Sequence, residues 1–320
     1  MFQETTTMRP FSKSMGVMAL ILLATSSPLV AQTRYEAEAI GTPRNANDRT
    51  GYDSINGVVG RAADSAASNG ELLFTLGPAR NMKFIFRGTG VSLIGRQDGD
   101  GSGFTWKLNG GTPAEQTGTG TMFGASLVHQ QAFPIAAQGS LPNALHTLEI
   151  GHDGGPGVLR VDAIDVFDNG VPAYVDESNS ALVYSPGNWN PGETGADSAA
   201  EAFGGTTTWT TDANATVTVD FNGTGIAALV MVRGDSRTIS WSINNGFRSG
   251  TVNLAAQNAL SFGFWHRWPL LLANDLPAGN HTLVINSGPD TLLTNIFLDA
   301  LVIDGDLGHL SSISDWSMYE

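Results

Sequence analysis

Apolar and polar residues alternate along several short stretches of this chain, and each such stretch occurs twice. Met82, Phe84 and Phe86 alternate with Lys83, Ile85 and Arg87; further on, Val217, Val219 and Phe221 alternate with Thr218 and Asp220. A period of two with one apolar face predicts a half-buried β-strand. Phe104, Trp106 and Leu108 repeat the pattern, as do Ile239, Trp241 and Ile243, and the hairpin residues Asn109-Gly110 and Asn244-Asn245-Gly246 follow them. Leu141-Pro142 and Leu276-Pro277 lead into predicted strands over 146–150 and 281–285. A last strand in each series carries Asp162, Ile164 and Val166, or Asp299, Leu301 and Ile303. Gly88-Thr89-Gly90 and Gly223-Thr224-Gly225 are expected to form tight corners with positive φ. Outside the N-terminal segment no window of a dozen residues has helical periodicity.

The two series share one register. Phe86–Gly90 corresponds to Phe221–Gly225, Trp106 to Trp241, Phe133-Pro134 to Trp268-Pro269 and His146 to His281, each pair 135 residues apart. A two-residue slip then aligns Asp162-Ala163-Ile164 with Asp299-Ala300-Leu301, and Ala63–Ala67 reappears as Ala196–Ala200 at a separation of 133. So long a shared register indicates a duplicated domain rather than a solenoid of short repeats. Short strands with Gly-rich turns, twice over, predict an all-β chain of two tandem antiparallel β-sandwiches of jelly-roll type. The expected division is a signal peptide over 1–31, a first sandwich over 32–170, a second over 171–306 and a tail over 307–320.

Composition narrows the function. Arg9 and Lys13, the apolar run from Gly16 to Ala24 and the Ser26–Ala31 stretch have the layout of an export signal, too short to anchor the chain in a bilayer. The expected location is secreted: extracellular or in the cell envelope, with no membrane insertion after signal removal. The chain has no cysteine, so each domain depends on its own core rather than on disulfides. Its formal net charge of −14, with Lys13, Lys83 and Lys107 as the only lysines, argues against nucleic acid as a partner.

The order of signals resembles the galactose-binding-domain-like jelly rolls, which include many carbohydrate-binding modules. The residues carrying the resemblance are Tyr35-Glu36-Ala37-Glu38, Phe86–Gly90 and Val161-Asp162-Ala163-Ile164. In the second copy they are Tyr184–Trp189, Phe221–Gly225, Leu276–Leu283 and Leu298-Asp299-Ala300-Leu301. The resemblance implies a structural calcium ion held by Glu36, Glu38 and Asp162. Asp176-Glu177 stands in place of Glu-x-Glu in the second copy. Independently, Asp162 and Asp299 fall in phase with apolar neighbours, and a buried carboxylate must be paired, hydrogen-bonded or metal-bound. The alternative to calcium is that each accepts N–H bonds at a strand end.

Asp98-Gly99-Asp100-Gly101-Ser102-Gly103 matches the first half of a calcium loop but lacks the closing glutamate. Gly234-Asp235-Ser236 and Asp306-Leu307-Gly308-His309 resemble the catalytic blocks of GDS-type esterases, yet the serine falls inside a β-sandwich repeat whose first copy has no counterpart. No enzymatic activity is expected. His146 and His281 lie in phase with apolar residues and are expected to be core histidines bonded across a turn, with Trp106 and Trp241 also in the core. In the run Phe262–Trp268, Trp265 and Arg267 alternate with the apolar face and are expected to point outward. An outward indole can stack on a pyranose while a guanidinium bonds its hydroxyls, so Trp265, Arg267 and the loop residue Trp189 are the candidate ligand contacts. These expectations converge on an exported, non-catalytic protein that binds a polysaccharide or other glycan. The alternative is a self-associating structural protein of a filament, surface layer or adhesin.

Overall fold

The computed structural model describes residues 32–36, 50–53, 60–68, 70–75, 81–109, 115–167, 170, 172–185, 188–193, 202–232, 236–257, 265–288 and 296–307. The expected leader, Glu38 and the tail beyond 307 lie outside them. From residue 32 onward the described residues form one compact unit.

The alternating segments are strands, and they build two antiparallel β-sandwiches. In the first copy, the back sheet has the order β3 (Gly60–Ala63), β4 (Glu71–Thr75), β11 (Leu159–Phe167), β6 (Gly90–Gln97), β9 (Val128–Ala136), with β1 (Gln32–Glu36) along β11. The front sheet runs β2 (Thr50–Asp53), β5 (Asn81–Gly88), β10 (Ala144–His152), β7 (Gly103–Leu108), β8 (Gln116–Thr121). Between the sheets Met82, Phe84, Phe86, Leu93, Phe104, Leu148, Ile150 and Ile164 are buried, which is where the period-two pattern puts them.

The second copy repeats this plan. Its back sheet holds β12 (Ala173–Asp176), β14 (Trp189–Glu193), β15 (Thr207–Thr210), β19 (Trp265–Ala273) and β21 (Ile296–Leu307). Its front sheet holds β13 (Val183–Ser185), β17 (Thr238–Ile243), β18 (Arg248–Asn253) and β20 (Gly279–Asn286). One strand, β16 (Thr216–Val232), serves both sheets: its first half pairs with β20 and its second with β19. The chain does turn from front sheet to back sheet at these segments, but without the expected backbone conformation, since none of Gly88, Gly90, Gly223 and Gly225 has positive φ. Glycine is needed there for space. A Cβ would sit 2.6 Å from the Phe167 carbonyl oxygen at Gly88, 2.5 Å from that of Ala137 at Gly90 and 2.3 Å from that of Asp304 at Gly223.

The register corrects one sequence correspondence. Leu93 pairs with Phe133 and Ala228 with Leu270, so Leu270, not Trp268, stands in the place of Phe133. Along β9 and β19 the copies are 137 residues apart, and Phe133-Pro134 matches Trp268-Pro269 by residue type alone. Each strand carries a bulge whose central residue has φ 50, Gln130 in one copy and Arg267 in the other. A bulge reverses which face successive side chains take, and simple alternation cannot register it.

The two sandwiches are joined through β2. β2 pairs with β5 through Thr50 and Gly51, and with β19 through Tyr52 and Asp53, which splices the first front sheet to the second back sheet. Beside this splice Ile85 and Leu145 pack against Ala227, Leu229, Ala300 and Val302, flanked by Tyr174, Phe203 and Leu271. Arg87 Nε pairs with Asp304 Oδ1 at 2.5 Å, and Asn274 Nδ2 donates to the Leu145 carbonyl at 3.1 Å.

Candidate functional site

The three ligand contacts expected from sequence do not come together. Arg267 is only 1% exposed: the bulge that it occupies turns it inward, which corrects the expected outward orientation. Trp265 opens β19, where its backbone pairs with Asp53 of the first copy; its side chain lies outside the described residues. Trp189 is not in a loop but begins β14, pairs with Thr210 and packs against Tyr184 with ring centroids 4.9 Å apart. β14 and β19 lie four strand spacings, or about 19 Å, apart in the same sheet.

The expected calcium ligands are partly visible. Glu36 lies on β1 with its side chain outside the described residues, and Glu38 is outside them altogether. Asp162 is fully buried, and its carboxylate accepts the Ser68 N–H at 3.0 Å and the Ser68 hydroxyl at 2.8 Å. The second copy repeats this anchor, with Asp299 Oδ1 accepting the Phe203 N–H at 2.8 Å. Among the described residues no group of three acidic or histidine side chains is arranged to hold a metal ion. Asp98 and Asp100 are bound by Arg160 at 3.1 and 3.0 Å, so the half calcium loop is an ion-pair cluster. Next to Asp176, Glu177 is 1% exposed and accepts the Thr206 hydroxyl at 2.5 Å; burial pushes its carboxyl up to about 7.

The duplicated histidines form a duplicated latch. His146 Nε2 donates to the Pro142 carbonyl at 2.8 Å while Nδ1 accepts from Asn109 Nδ2 at 2.9 Å. His281 repeats both bonds, to Pro277 at 2.7 Å and Asn244 at 2.8 Å. Asn109 and Asn244 adopt φ 55 and 49, the left-handed conformation that asparagine tolerates at a hairpin. Burial pulls His146 below its ordinary value, which fits a neutral ring donating from Nε2. Trp106 and Trp241 are scaffold as well, each lying over a cross-strand glycine, Gly118 or Gly250, where a Cβ would fall 2.4 or 2.8 Å from the indole. Ser236, of the esterase-like block, is buried, and its would-be partner His309 lies outside the described residues.

What the structure does bring together is a trough on the outer face of the first front sheet, of about 490 Å³. Its side chains form two rows across β5, β10, β7 and β8. One row is Asn81, Gly151, Thr105, Thr119; the other is Lys83, Glu149, Lys107, Thr117. Asn81 Nδ2 donates to Glu149 at 2.6 Å, which orients the carboxylate. Gly151 forms the floor, since a Cβ there would be 2.4 Å from Asn81 Oδ1. At the inner end the second copy covers Lys83, whose Nζ lies 5.2 Å above the Trp268 ring; burial lowers its pKa while Glu149 opposes that shift. At the open end Lys107 stands 3.9 Å from Glu115.

The trough is not duplicated. In the second copy Gly151 is matched by Asn286, Glu149 by Val284, Lys107 by Ser242 and Lys83 by Thr218, so none of the charges of the trough recurs at its matched position. Sequence reasoning passed over it by looking for aromatic platforms. The available signal was that both lysines beyond the leader, Lys83 and Lys107, are in phase with each other on the polar face of predicted strands.

No protein-family model matches the chain, and no curated protein matches it significantly. Among solved structures, a Paenibacillus xanthan lyase is 16% identical over 85% of this chain and 26% of its own, with a TM-score of 0.32. A two-domain esterase active on acetylated mannans is 8% identical over 43% of this chain and 37% of its own, with a TM-score of 0.35. The tandem CBM51 modules of a family 98 glycoside hydrolase from Streptococcus pneumoniae are 8% identical over 86% of this chain and 100% of their own, with a TM-score of 0.26. This chain thus spans about a quarter to just over a third of the lyase and esterase that it matches.

Proposed function

We propose that this is an exported, non-catalytic carbohydrate-binding protein that holds a polysaccharide segment in the trough of its first sandwich. The observation that carries this reading is the convergence of Asn81, Thr105, Lys107, Thr117, Thr119 and Glu149 on a rigid four-stranded floor, in a cleft of about 490 Å³. That volume is ordinary for a small-ligand cleft, and donors and acceptors alternate across it as sugar hydroxyls require. Glu149 is the one carboxylate among the residues lining the trough, whereas glycoside hydrolysis ordinarily requires a pair. Among the described residues no helix is long and apolar enough to cross a membrane.

The assembly alternative has less behind it. The apolar contact of Ile85 and Leu145 with the second copy could propagate from molecule to molecule only if the second copy offered the same face. It offers Asp220 for Ile85, Asn222 for Arg87 and Asn280 for Leu145.

Binding of the protein to a panel of soluble and insoluble polysaccharides, with and without chelator, tests the proposal. Glu149→Gln and Thr105→Val should each weaken retention on the bound glycan about tenfold, the scale of one lost hydrogen bond to a charged or polar group; Thr105→Val should leave the melting temperature unchanged, while Glu149→Gln should lower it by removing the charge that faces buried Lys83. Full retention by both variants would remove the trough from consideration. Calcium on Glu36, Glu38 and Asp162 stays a proposal that requires Asp162 to exchange the Ser68 donors for the ion; stability insensitive to chelator would leave Asp162 as an anchor for Ser68 alone.

A further inference from the structure

The trough on the first front sheet is closed on one side. Thr117 and Thr119 on β8 and Thr105 on β7 are exposed, whereas Glu149 on β10 is half-buried and Gly151 on the same strand is buried. On β5, the last of the four strands, Asn81 is half-buried and Lys83 is 5% exposed. β8 ends the strand order of the sheet among the described residues, so the shallow side opens to solvent.

The closure at β5 comes from outside the first sandwich. Lys83 Nζ lies 5.2 Å over the ring of Trp268, which belongs to β19 of the second copy and is itself 3% exposed. β2 brings that strand there, pairing with Lys83 through Gly51 and with β19 through Tyr52 and Asp53. Lys83 therefore stands in line with Glu149, Lys107 and Thr117 yet takes no part in lining the cavity. The duplicated fold does not impose this. In the second copy Thr218, the match of Lys83, is half-buried and pairs with Val183, which is 59% exposed, so the corresponding row stays open at that end.

We propose that the trough recognises the end of a glycan chain rather than its interior, with the terminal sugar against Glu149 and Asn81 and the rest of the chain leaving over Thr105, Thr117 and Thr119. This rests on the trough being the glycan site. Four strands at the usual spacing make its floor about 14 Å wide, the reach of a short oligosaccharide. A terminal sugar carries a free hydroxyl where an internal sugar carries a linkage. The Glu149 carboxylate, held by Asn81, offers that hydroxyl an acceptor at the closed side. An internal sugar in the same place would direct its next neighbour into Lys83 and Trp268.

Chain ends can be multiplied without changing the sugar. Mixed-linkage β-glucan, glucomannan and polygalacturonate, each intact and after limited endo-hydrolysis to shorter chains, are titrated against the intact protein by calorimetry, and binding sites per gram of glycan are read. For a glycan that binds, sites per gram should rise in proportion to the fall in mean chain length, with unchanged affinity per site. A trisaccharide cut from that glycan should compete as well, molecule for molecule, as a long oligosaccharide. Sites per gram that stay constant or fall on cleavage would overturn end recognition while leaving the trough as a site for chain interiors. Thr105→Val should weaken each site about tenfold and leave the number of sites unchanged. Ends bound equally well by this variant and the native chain would put end recognition outside the trough and overturn the proposal. Binding to none of the glycans, intact or cleaved, would overturn the trough reading and this inference with it.

Discussion

Glu177 shows what burial does to one carboxyl group. In the folded chain it ionises near 7 because burial disfavours the charged form, while in the unfolded chain it ionises near 4.5. Below pH 4.5 both states hold the proton and folding is not penalised. As pH rises toward 7 the unfolded chain loses its proton first, and stability falls by on the order of 3 kcal/mol. Glu177→Gln should therefore unfold at a higher denaturant concentration than the native chain at pH 8 and match it near pH 4, as urea titrations at the two pH values would show. His146 has the opposite sense: with its folded value lowered, it costs nothing above its ordinary value, where both states are neutral, and opposes folding in acid. The same alternation that marks strands put Asp162, Asp299, His146 and His281 inside, so their burial was legible in the sequence. The histidines' bonds across their turns were legible too, but the partners of Asp162 and Asp299 were not, because Ser68 and Phe203 belong to connections that sequence periodicity does not order in space.

At the scale of elements, the corner between the sheets carries the tightest demand. β16 passes from front sheet to back sheet at Gly223, where the Asp304 backbone leaves no room for a side chain. Gly223→Ala should destabilise the protein by about 1–3 kcal/mol through overpacking against backbone that cannot move aside, read as a lowered denaturation midpoint with unchanged slope. Gly279, with φ 150 and open space where a Cβ would sit, gives the contrasting case, in which alanine meets backbone strain without overpacking. The glycines are visible in the sequence, but their cause is close approach rather than turn geometry, and periodicity does not tell the two apart. Strand β19 departs from expectation for a related cause. A bulge inserts one residue without changing composition, so Arg267 looks exposed; Phe133-Pro134 and Trp268-Pro269 look equivalent for another reason, a different length of chain ahead of the strand in the two copies. The trough eludes the sequence because its residues come from four strands whose lateral order no local pattern specifies.

For the whole molecule, the duplication produced two sandwiches that behave as one body. Ile85, Leu145, Ala227, Leu229, Ala300 and Val302 share an apolar contact, and Arg87 and Asp304 close its rim. A single cooperative melting transition is expected in calorimetry. Leu229→Asp places an unpaired carboxylate in that contact, at a cost of several kcal/mol, and should split the transition into two; an unsplit transition would mean that the contact contributes little to cooperativity. The splice at β2 has a further consequence during synthesis. Residues Tyr52 and Asp53 find their partners on β19, more than two hundred residues later in the chain. A nascent first sandwich therefore emerges with one strand edge and one apolar patch waiting for chain not yet made. Its hazards are those of a long-range pairing, and the first half of this protein, made by itself, would be a poor stand-in for the same residues in the finished molecule.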